Sequence, residues 1–227
     1  MKRSNNTLAY VALFVLAGWA LWYWYTPHTA NAPSPAEAAL RGAISVDATS
    51  TPAGKTLAFP VPSDFGLATA PEQILVTSYI PPCDSGFEYC LYYNSAAWAG
   101  TNFESAGLAI TRRLDLANKE ACLTSQPAGY TNLTAATAER ASYAMSVFSG
   151  LGDAGAGHYA SGSEYRLFAS DKCYQFDTRI GEMQFGNYPE GSIAKFTDAD
   201  RSAMQETLLN IIRSMTLNQS GVHLQLP

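Results

Sequence analysis

Residues 8–25 read LAYVALFVLAGWALWYWY, a run with no charge in which every position but Gly18 is apolar or aromatic. At 1.5 Å per residue a helix of that length covers about 27 Å, close to the hydrocarbon thickness of a bilayer. The bland alternative, a buried core helix, is the poorer reading for a run apolar all round. The segment is expected to be one N-terminal transmembrane helix, and everything after it must fold on one side of that membrane.

The flanks set the orientation. Lys2 and Arg3 precede the run, and the next basic residue is Arg41. The positive-inside rule then leaves residues 1–7 as a cytoplasmic tail and places the rest outside. Trp22, Tyr23, Trp24 and Tyr25 close the run as an interfacial belt. A cleavable signal peptide is the rival reading, supported by Ala30-Asn31-Ala32. Its apolar core would be longer than the usual 7–15 residues, and Pro33 fixes the backbone just past the cleavage point. The retained anchor is the reading adopted, and both readings export the C-terminal part.

Residues 26–56 hold Pro27, Pro33, Pro35 and Pro52 among Ala, Ser and Thr, with no sustained periodicity. They read as a linker, with a short helical turn at 36–41. The folded domain is expected over 57–217, followed by a C-terminal tail at 218–227. Of 14 Lys and Arg in the chain, 12 lie beyond the anchor, against 19 Asp and Glu. An acidic surface repels phosphate backbones, so nucleic acid is not an expected partner. The expected partners are the membrane, through residues 8–25, and an envelope protein or glycan.

Within the domain, short runs of β-formers precede one helical pattern. Strands are expected at 74–80, 89–93, 107–113 and 142–148, and a hairpin at 164–169 and 173–180 around Ser170-Asp171-Lys172. A short helix is expected at 115–121. Thr197-Asp198-Ala199-Asp200 carries a capping-box pattern, and Met204, Leu208, Ile211, Ile212 and Met215 follow at helical spacing. That stripe needs an apolar partner. The expected fold is therefore α+β, an antiparallel sheet packed against a C-terminal amphipathic helix. This element order resembles the Mog1/PsbP-like α+β folds. The resemblance is one of order only, and no residue role is carried over from it.

Cys83, Cys90, Cys122 and Cys173 are an even set in an exported chain, which points to disulfides. The favoured pairing is Cys83 with Cys90 around a short loop, and Cys122 with Cys173. If the strand at 173–180 is regular, the second bridge lies on the face opposite Tyr174 and Phe176. Six residues separate Cys83 from Cys90, too many for a usual zinc pair, and no C-x-x-C is present.

Motifs for chemistry are thin, so no catalytic residue, metal or cofactor is assigned. Gly150-x-Gly152-x-x-Gly155 matches a dinucleotide fingerprint, but a helix should follow at once and a Gly-rich loop entering a strand is expected instead. His158 is the one histidine inside the domain, and no G-x-S-x-G elbow accompanies it. Asp64-Phe65-Gly66 stands without the other kinase elements. Glu88 and Glu104 are a nominal carboxylate pair. Tyr92, Tyr93 and Trp98 are the candidate ligand-contact aromatics, with core packing as their ordinary use. Anchor, spacer and stapled domain together suggest a non-enzymatic binding or envelope-assembly protein. The alternatives are an envelope hydrolase without a linear motif and a carbohydrate-binding module.

Overall fold

The computed structural model describes residues 44–47, 57–217, 222–224 and 226–227. The expected anchor at 8–25 and the turn at 36–41 lie outside them. Among the described residues no helix is long and apolar enough to cross a membrane.

The expected α+β arrangement is present. A seven-stranded sheet is built from β3 (Phe65–Ala68), β4 (Tyr89–Tyr93), β5 (Phe103–Arg112), β6 (Ala136–Glu139), β7 (Ala144–Gly155), β8 (His158–Ala169) and β9 (Lys172–Met183). Its order is β3-β4-β5-β9-β8-β7-β6, and every pairing is antiparallel. Helix α1 (Lys119–Thr124) links β5 to β6, and helix α2 (Asp198–Ser214) follows the sheet. A four-stranded sheet joins β1 (Ile44–Asp47), β2 (Leu57–Val61), β10 (Thr216–Leu217) and β11 (Val222–His223). Strand order thus reaches into both the segment read as a linker and the one read as a tail.

Alternation along the strands sorts the residues between two faces. Leu91, Leu108, Leu167, Phe176 and Ile180 turn to one face and meet Met204, Leu208, Ile211 and Ile212 of α2 in the main core. Phe59 of β2 and Leu224 join the same core. The capping box forms as the sequence suggested: Thr197 Oγ1 accepts from the Asp200 N–H, and Asp200 accepts from the Thr197 N–H at 2.8 Å. Each fully buried stripe residue contributes about 1.5–3 kcal/mol by leaving water.

The other face carries Cys90, Tyr92, Ala109, Glu164, Arg166, Cys173, Gln175, Asp177 and Arg179. Segment 74–80 crosses it, and here the expectation of a strand fails. The segment joins no ladder: it lies over the face of the sheet, where Ile74 and Val76 pack on the cluster of Cys83, Cys90 and Tyr92. Ile80 instead packs on Gly181, and the Ser105 hydroxyl donates to its carbonyl at 2.6 Å. Pro82 lies so close over Gly107 that an added Cβ would meet its carbonyl at 2.4 Å.

The Gly-rich stretch is a second correction. It is not a loop: β7 and β8 run through it as one long hairpin, with a bulge between Ser149 and Leu151. Ala156 and Gly157 both have positive φ (51° and 82°), the requirement of a tight type I′ hairpin turn. Ser170 and Asp171 (50° and 56°) close the β8–β9 hairpin in the same way, where the sequence placed it.

Candidate functional site

Both disulfides form with the expected partners, Cys83 with Cys90 and Cys122 with Cys173. The four cysteines are all buried on the face away from α2, in two small clusters separate from the main core. Cys173 thus points opposite Tyr174 and Phe176, as a regular strand requires. The first bridge staples the loop at 83–90. The second ties α1, and the loop that follows it, down to β9.

Between these two loops the sheet is open. A groove of about 830 Å³ lies there, with a floor supplied by β5, β7, β8 and β9. One wall is the 83–87 loop, which ends on Phe87. The other is the 127–130 loop, which ends on Tyr130. Tyr130 is locked in place: its hydroxyl donates to the Gly152 carbonyl at 2.6 Å and accepts from the Gly152 N–H at 2.7 Å. It does so beyond residue 147, where β6 no longer pairs with β7. The phenol therefore satisfies backbone groups on a strand edge that would otherwise need water.

The floor is a connected set of polar side chains. Arg113 donates to Asp115 through Nε (2.8 Å) and Nη2 (2.6 Å), and through Nη1 to the Gln175 side-chain oxygen. This fork pulls the Asp115 carboxyl down to about 2. With its oxygen engaged by Arg113, Gln175 presents its amide N–H to both oxygens of Asp177, at 3.1 and 2.9 Å. Asp177 is partly open to the groove but set deep in it. Burial, then the Glu164 carboxylate across the strand pair, pushes its carboxyl up to about 7, against the Gln175 hydrogen bond.

Glu164 is itself raised, chiefly by burial and against the pull of Arg166, with which it forms a buried pair. Arg166 is fully buried. It also donates to the carbonyls of Cys122 (3.2 Å) and Ser125 (2.6 Å), closing the C-terminus of α1, and lies over the Phe148 ring at 5.1 Å. The guanidinium thereby fixes the wall and the floor to each other. At the opposite wall Arg179 pairs with Asp84.

The aromatics singled out from the sequence lie elsewhere. Tyr92 and Tyr93 are 3% and 7% exposed, so neither presents a face to a ligand. Tyr92 sits over Gly66, and Tyr93 packs on Trp98 and Phe103 at 5.1 and 5.8 Å. Trp98 is half-buried and continues that stack onto Phe196 at 5.4 Å. Their rings serve packing. Glu88 and Glu104 do not act as a pair: Glu88 meets Arg112 at 3.6 Å, and Glu104 accepts from or donates to His158 Nδ1 at 2.7 Å. His158 lies beneath the exposed Tyr79 ring (centroids 4.0 Å apart) and is not part of the groove. The three glycines of the dinucleotide pattern sit in β7, with no helix after them, so no phosphate cradle exists there. Among the described residues no group of three or more His, Cys, Asp and Glu is placed to hold a metal.

The groove residues escaped the sequence reading. Their one signal is period-2 polarity: Glu164 and Arg166 on one strand, Gln175, Asp177 and Arg179 on the next. That pattern ordinarily marks a strand face turned to water.

No protein-family model matches the chain, and no curated protein matches it in sequence. Among solved structures it is similar to one described as the crystal structure of LpqN, involved in cell envelope biogenesis of Mycobacterium tuberculosis. The superposition covers 77% of this chain and 90% of that one, at 12% identity and a TM-score of 0.39. A likeness at that level says nothing of function, which rests on the groove.

Proposed function

We propose that this chain is a membrane-tethered, extracytoplasmic binding domain, and that the groove between its two disulfide-held loops is the binding surface. The observation that carries the reading is the groove itself: a concavity of about 830 Å³ with one wall stapled to the sheet by Cys83–Cys90 and the other led in by the Cys122–Cys173 bridge and pinned by Tyr130. Its size is that of small-molecule sites, which are concave, largely pre-formed and lined by a few convergent polar groups. Residues 8–25 are the anchor, with residues 1–7 cytoplasmic and the domain on the periplasmic or outer side. Two disulfides accord with an oxidising compartment. The partners are an envelope glycan or protein.

The test has two parts. Protease added to intact cells, or to spheroplasts where an outer membrane encloses the domain, is expected to digest it, and a membrane-impermeant maleimide should label it only after reduction. Protection until lysis, or free thiols beforehand, would overturn the placement. The full chain in phospholipid nanodiscs, titrated with separate glycan, peptide and lipid fractions of an envelope extract, should show amide shifts confined to the groove. Shifts only elsewhere, or none with any fraction, would sink the binding reading.

One observation favours a second reading, a hydrolase. Asp177 and Glu164 are cross-strand neighbours on the groove floor, and both carboxyls are held above their ordinary values. A carboxyl near 7 is suited to general acid work. Release of reducing ends from the glycan fraction, abolished by Asp177→Asn, would establish it. Identical rates for the wild type and that variant would exclude Asp177 as the acid.

A further inference from the structure

The chemistry of the lining narrows what the groove can hold. Carboxylates and guanidinium groups alternate on its floor. Arg113 is engaged by Asp115 and Gln175, and Arg179 by Asp84. Both arginines already hold a carboxylate, and Glu164, Asp177 and Asp153 would repel a phosphate or another polyanion. Among the described residues no group of three or more His, Cys, Asp and Glu is placed for a metal ion. An extended peptide binds best by adding to a sheet edge, yet β5, β9 and β8 are each paired on both sides, and the edge of β7 beyond residue 147 is taken at Gly152 by the Tyr130 hydroxyl. What remains is a neutral ligand with many hydroxyl groups.

The positive features agree. Phe87 and Tyr130 bring one ring from each wall to the lining, both half-buried. Aromatic rings combine a flat apolar face with a rigid frame, which suits the C–H face of a pyranose. Between them stand planar polar side chains of the kind that pair with hydroxyls as donor and acceptor. Among the described residues Asp177 accepts only from Gln175, although a carboxyl has about four acceptor sites. The Nε of Arg179 has no hydrogen-bond partner within the described protein. That Nε is buried, so the donor capacity open to a ligand is the rest of the Arg179 guanidinium, which among the described residues meets Asp84 through Nη1 alone, beside the unused acceptor capacity of Asp177.

We propose that the groove holds a short uncharged saccharide, with Phe87 and Tyr130 against its C–H faces and Asp177 and Arg179 on its hydroxyls. This rests on the groove being the binding surface. Gln175 and Arg113 are positioning residues: the chain Asp115–Arg113–Gln175 aims the amide that holds Asp177 in place. Binding is linked to protons. Asp177 faces Glu164 and Arg166 from β8, Arg113 from β5, Asp84 from the first wall and Arg179 from its own strand, with Asp153 at the rim. A hydroxyl that donates to Asp177 favours the carboxylate over the acid. Affinity therefore rises with pH through the neutral range, where that carboxyl titrates.

The experiment is calorimetric titration of the full chain in phospholipid nanodiscs with cellotetraose, maltotetraose and tetra-N-acetylchitotetraose, at about pH 6 and about pH 8. At least one tetrasaccharide is expected to bind, more tightly at the higher pH. Phe87→Ala and Asp177→Asn should each weaken it by about tenfold, and Asp177→Asn should remove the pH dependence. Tyr130→Phe keeps the ring and loses only the clamp on Gly152, so it should cost less than Tyr130→Ala. No binding of any of the three by the wild type, or folded Phe87→Ala and Asp177→Asn proteins that bind as it does, overturns the proposal. If the tetrasaccharides are silent while the peptide or lipid fraction shifts the groove amides, the groove stands and the saccharide falls. Silence in both experiments removes both.

Discussion

Asp177 is the residue at which folding and the proposed binding pull in opposite directions. Its carboxyl titrates near 7 in the fold, against an ordinary value of 3.8. Between those values the folded chain holds a proton that the unfolded chain has released, so stability falls as pH rises through that window. Asp177→Asn keeps the shape and removes the charge. In urea unfolding it should stabilise the domain at about pH 8.5 and leave it nearly unchanged at about pH 4, the difference being on the order of a few kcal/mol. An equal effect at both pH values would mean that Asp177 is not held neutral. This property had no signature in the sequence. Asp177 alternates with Phe176 and Thr178 as any strand residue would, and only the loops laid over the sheet turn a solvent face into a half-buried one. The cysteines were legible for the opposite reason: in an exported chain their number restricts the answer, and the spacing of 83 and 90 suits a short closed loop.

At the scale of elements, α2 is the part that sequence reasoning reaches best. Its cap is a local device, Thr197 and Asp200, and its stripe repeats at the period of the structure it forms. Leu208→Ala should cost about 2–5 kcal/mol, because the buried stripe has no room to collapse around the loss. Thr197→Ala should cost about 1 kcal/mol. Chemical denaturation of both variants checks this, and comparable values would mean that the stripe is not the helix's main hold on the sheet. Where the sequence misled, the cause was pairing. Residues 74–80 have strand composition but lie across the face of the sheet and join no ladder. Residues 150–162 have loop composition, yet β8 pairs with β9 along its whole length and carries the β7–β8 hairpin outward. Strand identity depends on neighbours distant in sequence, which a window of residues does not contain.

Over the whole molecule, the two faces of the large sheet are held by different means. The α2 face coheres through apolar contact, and no cysteine lies in its core. The groove face coheres through two covalent bonds and one buried ion pair. Removing the longer bridge with Cys122→Ser and Cys173→Ser should cost about 4 kcal/mol from chain entropy, against about 2.5 for the shorter one. Thermal unfolding should rank the two pairs in that order, and the reverse ranking would show that native-state contacts outweigh the entropy. The division also bears on maturation. The contacts between sheet and α2 need no oxidant, because no cysteine takes part in that core. The groove of a reduced chain, however, has walls that are not yet fastened. The final shape of the groove is thus set by thiol oxidation, a chemical event distinct from the packing of that core.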